Sequence, residues 1–177
     1  SRSETFPDNP LAVTGVPFRP GARELLADLR ASGVKTALVT MSMRRMALSV
    51  VELVDFPAFD LVVAGDDVER PKPYPDPYLQ AAAALGVDIR DTVAIEDSPN
   101  GLRSALASGA VSLGVPLMVP LEGLGAHALW PSLEGRTTSD LYALGATLLH
   151  VVTGRAPSEF PFDSGRIEVP ANLPIQA

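Results

Sequence analysis

Two adjacent carboxylates, Glu96 and Asp97, stand directly after the apolar segment Val93–Ile95. Neighbouring carboxylates repel each other unless a positive charge compensates them. Magnesium binds hard oxygen ligands from one or two carboxylates, and waters and phosphate oxygens complete its octahedron. We therefore interpret the pair as a candidate magnesium site, and the alternative is an ordinary acidic pair on the surface.

Lys72 is the second candidate, because it lies between Pro71 and Pro73. Proline fixes its own φ angle and restricts the residue before it, so the backbone around this lysine is stiff. A lysine on a rigid turn can deliver a point charge to a phosphate or a carboxylate. The alternative interpretation is a solvated surface lysine.

Two further aspartates, Asp66 and Asp67, precede Lys72 in the same segment. They could bind a metal, but we favour a polar turn or a link to Lys72, because aspartate commonly hydrogen-bonds nearby backbone in turns.

Thr40, Met41 and Ser42 form the third candidate, at the start of a predicted helix. Two hydroxyls and free backbone N–H groups at a helix N-terminus make a site for an anion such as phosphate. A plain helix N-cap explains the same residues without any ligand.

All three candidates follow predicted strands. Short apolar segments alternate with helices of about ten residues, which indicates a mostly parallel sheet covered by helices on both faces. Ligands of such sheets gather beyond the carboxyl ends of the strands. The candidates are therefore expected at one edge of an α/β fold. The strands are predicted at 34–40, 59–65, 92–96 and 111–115.

Proline, glycine and apolar periodicity define the predicted helices. One apolar stripe is interpreted as core packing rather than as a binding face, and it consists of Met43, Met46, Ala47, Val50, Val51 and Val54. Asp76 is expected to cap one helix and Ser98 the next. The helices are predicted from Pro20 to Gly33, from Met43 to Val54, from Asp76 to Gly86, from Ser98 to Gly109, and from a capping box at Thr137 and Asp140 through Val152.

The composition argues against nucleic-acid binding and excludes metal sites made of cysteines. The 14 Lys+Arg and 21 Asp+Glu residues give a net charge of −7, which argues against a nucleic-acid surface. The chain has no cysteine, so metal ligands must come from oxygens or from His127 and His150. The polar start SRSETFPDNP does not resemble a signal peptide, and no apolar run reaches the roughly 18 residues that span a bilayer. A soluble cytoplasmic protein without a membrane partner is expected.

Three segments together resemble the haloacid-dehalogenase-like (HAD) hydrolase superfamily, in its phosphatase and phosphomutase branch. "ALVTMS" is similar to the second motif of that family, "KPYPDPY" to the third and "AIEDSPNGLRSALASGA" to the fourth. The segment "RPGARELLADLRASGVKTALVT" also resembles the lead-in to the second motif. The resemblance covers residues 17 to 145, and its specificity comes from the order and spacing of the motifs.

The resemblance implies a three-layer Rossmann-like fold and an Mg²⁺-dependent phosphoric monoester hydrolase that acts on a small phosphorylated metabolite. Thr40 and Lys72 would be catalytic and would bind phosphate together with Met41 and Ser42, while Asp97 and Glu96 would bind Mg²⁺. A phosphosugar mutase of the same branch and a nonenzymatic module that binds phosphate and metal are the alternatives.

The chain departs from the family in one respect. The family begins with a strand that ends in an Asp-x-Asp-Gly-Thr motif, whose first Asp is the nucleophile, and the nearest look-alike here, "FPFDSG" at 160–165, lacks the second Asp. In the family this strand lies between the strand ending at Thr40 and the one ending at Glu96. We therefore expect the C-terminal part of a longer enzyme, inactive alone, with an irregular cap or linker remnant at 1–16, a partial core at 17–153 and an irregular tail at 154–177.

Overall fold

A computed structural model describes residues 18–144 and the backbone at 162–163 and 166–167. The chain divides into two compact units, residues 1–137 and 138–177. The predicted remnant at 1–16, most of the predicted tail at 154–177, the predicted helix beyond residue 144 and His150 lie outside the described residues. The predicted core boundary at 153 falls within the second unit.

The first unit alternates strands and helices, and its strands pair in parallel, which confirms the predicted α/β fold class. β1 pairs with β2 in the register Ala37↔Leu61, and β3, β4 and β5 form a second group in that order. The strands are β1 (Ala37–Val39), β2 (Leu61–Val63), β3 (Val93–Glu96), β4 (Val111–Gly114) and β5 (Ala128–Leu129).

Helices α1 to α4 alternate with the first four strands, and a short 3-10 helix at Ile89–Asp91 precedes β3. In the second unit a helix begins at residue 138, and its described part ends at 144. The backbone there also forms an antiparallel pair, β6 (Phe162–Asp163) with β7 (Arg166–Ile167). The helices of the first unit are α1 (Ala22–Ala31), α2 (Arg44–Val51), α3 (Asp76–Leu85) and α4 (Pro99–Ser108).

The strands are shorter than the apolar segments that predicted them. Before β1, the Thr36 backbone N–H donates to the Asp60 carboxylate at 2.8 Å, and the Thr36 hydroxyl donates to the Ala58 carbonyl at 2.7 Å. Because a side chain satisfies this backbone group, the β1 ladder begins only at Ala37. Apolar periodicity does not report such hydrogen bonds, because they join residues 24 and 22 positions apart in the chain.

Prolines and glycines end the helices as expected, with one correction. Ser98 caps α4 by accepting a hydrogen bond from the Gly101 N–H at 3.2 Å, and Gly109 ends it with a φ of 86°. Asp76 does not cap α3: the N-cap is Pro75, and the Asp76 carboxylate accepts instead from the Arg70 guanidinium at 2.9 Å.

The prediction that the apolar stripe of α2 packs into the core is wrong for its two methionines and Val50, and right for Ala47. Met43 is 53% exposed and Met46 is 56% exposed, and Val50 is also exposed, whereas Ala47 is buried. α2 packs on β2, and its buried contact is made by the alanine. The helical spacing therefore identified the helix, but only part of the predicted apolar face is buried.

The core lies between the strands and the helices α3 and α4. Tyr78, Ala94, Ala105 and Ala110 form a buried cluster that joins α3, β3 and α4, and small alanine side chains let these elements approach closely. This cluster fixes the carboxyl end of β3 relative to α3. Among the described residues, no helix is both long enough and apolar enough to cross a bilayer.

Candidate active site

The Lys72 ammonium joins the carboxyl ends of two strands. Its Nζ donates hydrogen bonds to the Val39 carbonyl at 3.0 Å, at the end of β1, and to Glu96 Oε1 at 2.5 Å, at the end of β3. The side chains of Lys72 and Glu96 are only 9% and 6% exposed. Lys72 is therefore a buried ion-pair partner and not a solvated surface residue. Its contacts bring the chain neighbours Thr40 and Asp97 to the same edge.

Tyr78 completes this arrangement, and sequence reasoning missed it. Its hydroxyl donates a short hydrogen bond to Glu96 Oε1, and the Lys72 Nζ lies 3.3 Å from the hydroxyl oxygen and 5.0 Å from the ring centroid. Burial and then the Glu96 charge raise the pKa of the Tyr78 phenol well above its ordinary value. The sequence feature that could have identified Tyr78 is its place in the first turn of α3, six residues after Lys72, where an aromatic ring can be buried and its hydroxyl can still form hydrogen bonds.

The Glu96 carboxylate lies over the first turn of α4. A Cβ atom at Gly101 would overlap this carboxylate, so the lack of a side chain there provides its space. Buried carboxylates are costly unless paired and hydrogen-bonded, and Lys72 and Tyr78 supply both interactions. Lys72, Tyr78 and the first turn of α4 together thus fix the position of the Glu96 carboxylate.

Asp97 differs from its neighbour. Its carboxylate is half-buried, and within residues 18–144 it makes no hydrogen bond and no ion pair. Glu96 accepts from two donors, whereas the Asp97 oxygens remain available to a further ligand. The two carboxylates that the sequence analysis paired therefore have different surroundings.

Of the two carboxylates, Asp97 is better suited than Glu96 to bind magnesium directly. Mg²⁺ needs only one or two protein carboxylates, because it keeps waters and takes phosphate oxygens. Asp97 offers uncommitted hard oxygens, and Glu96 could contribute once a donor moves away. No group of three or more metal-binding side chains occurs among the described residues, so any magnesium at this edge depends on those further oxygen ligands.

The predicted helix N-terminus at Thr40, Met41 and Ser42 requires a correction. α2 begins only at Arg44, and the Ser42 N–H donates to Thr40 Oγ1 at 3.1 Å. The first N–H group of α2, on Arg44, donates to Asp66 Oδ1 at 2.7 Å. The expectation of free N–H groups at this helix N-terminus is therefore wrong for these two donors, because polar oxygens nearby in the fold already accept from them.

One of the same three residues, Met41, contacts Lys72. Thr40 is half-buried directly after β1, and Met41 Sδ accepts a hydrogen bond from the Lys72 backbone N–H at 3.3 Å. Ser42 is exposed. Thr40 is consequently the hydroxyl nearest in sequence to the Val39 carbonyl that Lys72 contacts.

Asp66 and Asp67 form a polar turn, and neither is hydrogen-bonded to Lys72. Asp67 accepts from the Arg44 guanidinium at 2.7 Å and from the Ala64 N–H at 2.7 Å, while Asp66 accepts from the Arg44 N–H. The hydrogen bond from Arg44, followed by the one from Ala64, lowers the pKa of the Asp67 carboxyl. This second acidic pair binds the start of α2.

Within the described residues, β1 and β3 each pair on one side only. β1 pairs with β2 and β3 pairs with β4, and the two strands do not pair with each other, although Lys72 contacts the end of each. The N–H and C=O groups on the free side of each strand can pair with a further strand, so these edges favour one. The central strand expected from the sequence stays a prediction, and this arrangement supports it.

Comparison with known proteins gives a family match. The model of the haloacid dehalogenase-like hydrolases matches residues 8–109. Hexitol phosphatase A of Escherichia coli is 34% identical over 108 residues, which are 60% of this chain and 50% of that protein. The chain spans half or less of the length of the curated relatives that it matches.

Two solved structures share the fold. The structure of CbbY from Rhodobacter sphaeroides in complex with phosphate has a TM-score of 0.63 and 32% identity, and the match covers 70% of this chain and 58% of that one. A β-phosphoglucomutase from Clostridium difficile has a TM-score of 0.66 and 22% identity, over 75% of this chain and 58% of that one. The second likeness concerns the fold alone.

Proposed function

This chain belongs to the haloacid dehalogenase-like hydrolase family, and we propose that it supplies the phosphate- and metal-binding part of an Mg²⁺-dependent phosphoric monoester hydrolase. The observation that carries this proposal is the Lys72 ammonium, which is shared by the carboxyl ends of β1 and β3. A buried cation at that edge is suited to the negative charge of a transferring phosphoryl group.

Lys72 and Thr40 would bind the phosphoryl oxygens. The ammonium presents its charge from a stiff backbone segment, and the Thr40 hydroxyl follows the strand whose last carbonyl Lys72 contacts. Met41 and Ser42 lie in the same loop, but only their remaining polar groups could contribute, because the Ser42 N–H already has an acceptor. These groups act by position and electrostatics rather than by covalent chemistry.

Asp97 would hold Mg²⁺ directly, with Glu96 as the second ligand. When bound, magnesium neutralises the charge on phosphoryl oxygens and orients them. Glu96 also keeps Lys72 at the site, because its carboxylate is the charged partner of the ammonium. The pair thus has two roles in this proposal, one for the metal and one for the lysine.

A nucleophile is the remaining requirement. The free edges of β1 and β3 favour a parallel strand between them, whose carboxyl end would lie beside Lys72 and Asp97. We propose that this strand carries the nucleophilic aspartate and lies outside the residues that the structure describes. Residues 1–177 alone are then expected to bind phosphate and magnesium weakly and to turn over no phosphomonoester.

Hydrolysis of p-nitrophenyl phosphate tests this function. The assay compares residues 1–177 with a longer protein in which a segment carrying an Asp-x-Asp-Gly-Thr strand precedes them, each in magnesium and in EDTA. Magnesium-dependent turnover by the longer protein alone is the expected result, and Asp97→Asn should abolish most of it. Turnover by residues 1–177 alone would place the nucleophile among carboxylates to which we assign structural roles.

A phosphosugar mutase of the same branch is the second candidate, because the three motifs resemble phosphatases and phosphomutases alike. Incubation of the longer protein with a hexose 1-phosphate separates the two functions, because a mutase yields the 6-phosphate and a phosphatase releases inorganic phosphate.

A nonenzymatic module that binds phosphate and metal is the third candidate. The lysine and the acidic pair could hold both ligands without any covalent step, since Lys72, Glu96 and Asp97 already meet at one edge. This candidate predicts binding without turnover even in the longer protein.

The substrate and location follow from the same proposal. A small phosphorylated metabolite fits a site built from one lysine, one hydroxyl and two carboxylates. A cytoplasmic location fits a chain without cysteines, since secreted domains commonly use disulfides.

A further inference from the structure

Every proton of the Lys72 ammonium already has an acceptor. A lysine ammonium carries three N–H donors, and the Nζ contacts the Val39 carbonyl at 3.0 Å, the Tyr78 oxygen at 3.3 Å and Glu96 Oε1 at 2.5 Å. The side chain is also buried, which leaves little access for water. A phosphate oxygen can therefore bind this ammonium only by replacing one of the three acceptors.

The three acceptors differ in strength. Glu96 is charged and closest, and the Val39 carbonyl belongs to the backbone at the end of β1. The Tyr78 oxygen is neutral and the most distant of the three. Hydrogen bonds between charged groups are shorter and stronger than those to neutral groups, so the Tyr78 oxygen is the acceptor that an oxyanion replaces.

Tyr78 also has a second contact that matters when an anion binds. Its own proton is donated to the same Glu96 oxygen that Lys72 contacts. A buried carboxylate that loses part of its cation keeps a charge-assisted hydrogen bond from the phenol. Glu96 therefore remains satisfied while the ammonium turns toward the anion.

We propose that Tyr78 is a positioning residue that releases Lys72 for an oxyanion, by holding Glu96 and giving up its own contact with the ammonium. The inference rests on the proposed function, because it assumes that Lys72 binds phosphate. It assigns a role to a side chain outside the candidate phosphate and metal ligands, and Tyr78 does not touch the substrate in this role.

Tyr78→Phe removes only the hydroxyl and keeps the ring in its buried cluster with Ala94, Ala105 and Ala110. The change frees one proton of the Lys72 ammonium from its weakest acceptor, but it also removes the stronger, charge-assisted hydrogen bond from the phenol to Glu96. Because the second loss is the larger one, Glu96 is left with Lys72 as its one strong donor and retains it more tightly. Phosphate affinity is therefore expected to fall about tenfold, which corresponds to about 1.4 kcal/mol.

A rescue variant separates this role from packing. In Tyr78→Phe combined with Glu96→Gln, the amide is neutral and no longer retains the ammonium. The affinity for phosphate is therefore expected to return at least to that of Glu96→Gln alone. If the hydroxyl served only packing, the loss caused by Tyr78→Phe would persist in the Glu96→Gln background.

The measurement is a titration with inorganic phosphate in EDTA, followed by NMR of protein labelled at lysine. The chain has two lysines, so Lys72 and Lys35 give one side-chain signal each. Lys35 Nζ donates to the Leu85 carbonyl at 2.7 Å on the surface and serves as the internal control. Tyr74→Phe is the matched control variant, because Tyr74 is exposed and its ring centroid lies 5.2 Å from the Arg70 guanidinium.

The outcomes are distinct. We expect phosphate to move the Lys72 signal and not the Lys35 signal, with weaker binding in Tyr78→Phe, restored binding in the double variant and no change in Tyr74→Phe. Equal affinity in the wild type and Tyr78→Phe, or a loss that Glu96→Gln does not restore, overturns the inference alone. A Lys72 signal that phosphate does not move overturns the inference together with the phosphate-binding role proposed for Lys72.

Discussion

Two pairs of neighbouring acidic residues each follow an apolar strand in this protein, and the two pairs have different binding partners. Asp66 and Asp67 follow β2 and bind the start of α2 through the Arg44 backbone and guanidinium. Glu96 and Asp97 follow β3, and one member binds a buried lysine while the other has no partner within residues 18–144. The cation of the first pair, Arg44, is exposed, whereas the cation of the second pair, Lys72, is buried. We infer that this difference in burial distinguishes the structural pair from the candidate functional pair.

Stability should change most when the cation of the β3 pair is removed. Lys72→Met leaves Glu96 buried beside an apolar chain, and breaking a buried ion pair costs about 3–5 kcal/mol. The free energy of unfolding from urea titrations measures this loss. Lys72→Met combined with Glu96→Gln should recover much of it, and an unchanged urea midpoint in Lys72→Met would contradict a buried pair.

Gly101→Ala tests whether α4 sets the position of Glu96. The added methyl group overlaps the carboxylate, and overpacking a buried site costs about 1–3 kcal/mol. Thermal or urea unfolding measures the loss, which should disappear in a Glu96→Ala background.

The matched control for this change is Ala107→Gly, at an exposed position of α4. It reports the helix propensity of alanine over glycine, which favours alanine by about 1 kcal/mol. If Gly101→Ala raises stability by the amount that Ala107→Gly lowers it, the carboxylate does not press on α4.

Arg44→Met is the corresponding removal of the cation at the β2 pair. The Arg44 side chain is 46% exposed and that of Asp67 is 17% exposed, so water and salt reach this ion pair from the arginine side and screen it more than the buried pair of Lys72. The loss of stability is expected to be clearly smaller than that of Lys72→Met and to shrink as sodium chloride is added. A loss equal to that of Lys72→Met, independent of salt, would remove the distinction between the two pairs.

The sequence predicted the features that depend on residues close together in the chain, namely the positions of helices and strands. Proline and glycine located the ends of α3 and α4, and apolar segments located the first four strands. The position of Glu96 at the end of β3, and of Lys72 in the loop after β2, followed from the predicted order of strands and helices. Contacts between distant residues were not accessible, because Tyr78 contacts a residue 18 positions away and Arg44 contacts Asp67 across 23.

The weakest effect is expected from pH at the β2 pair. Arg44 and the Ala64 N–H lower the pKa of Asp67 in the folded protein below its ordinary value. The stability from this group is therefore fully present above the ordinary aspartate pKa of about 4 and is lost as pH falls through the lower folded value. Urea midpoints measured on both sides of that ordinary value should fall less steeply with acid in Asp67→Asn, and an identical slope would show that Asp67 adds no pH dependence.

The assignment of the metal to the β3 pair, and not to the β2 pair, can be measured in residues 1–177. Manganese can replace magnesium in oxygen sites, and its unpaired electrons broaden the NMR signals of nearby amides even when binding is weak. A manganese titration should therefore broaden amides around Asp97 and the start of α4, and Asp97→Asn should remove this effect while Asp67→Asn leaves it. Broadening centred on Asp66 and Asp67, or an unchanged pattern in Asp97→Asn, would contradict the assignment.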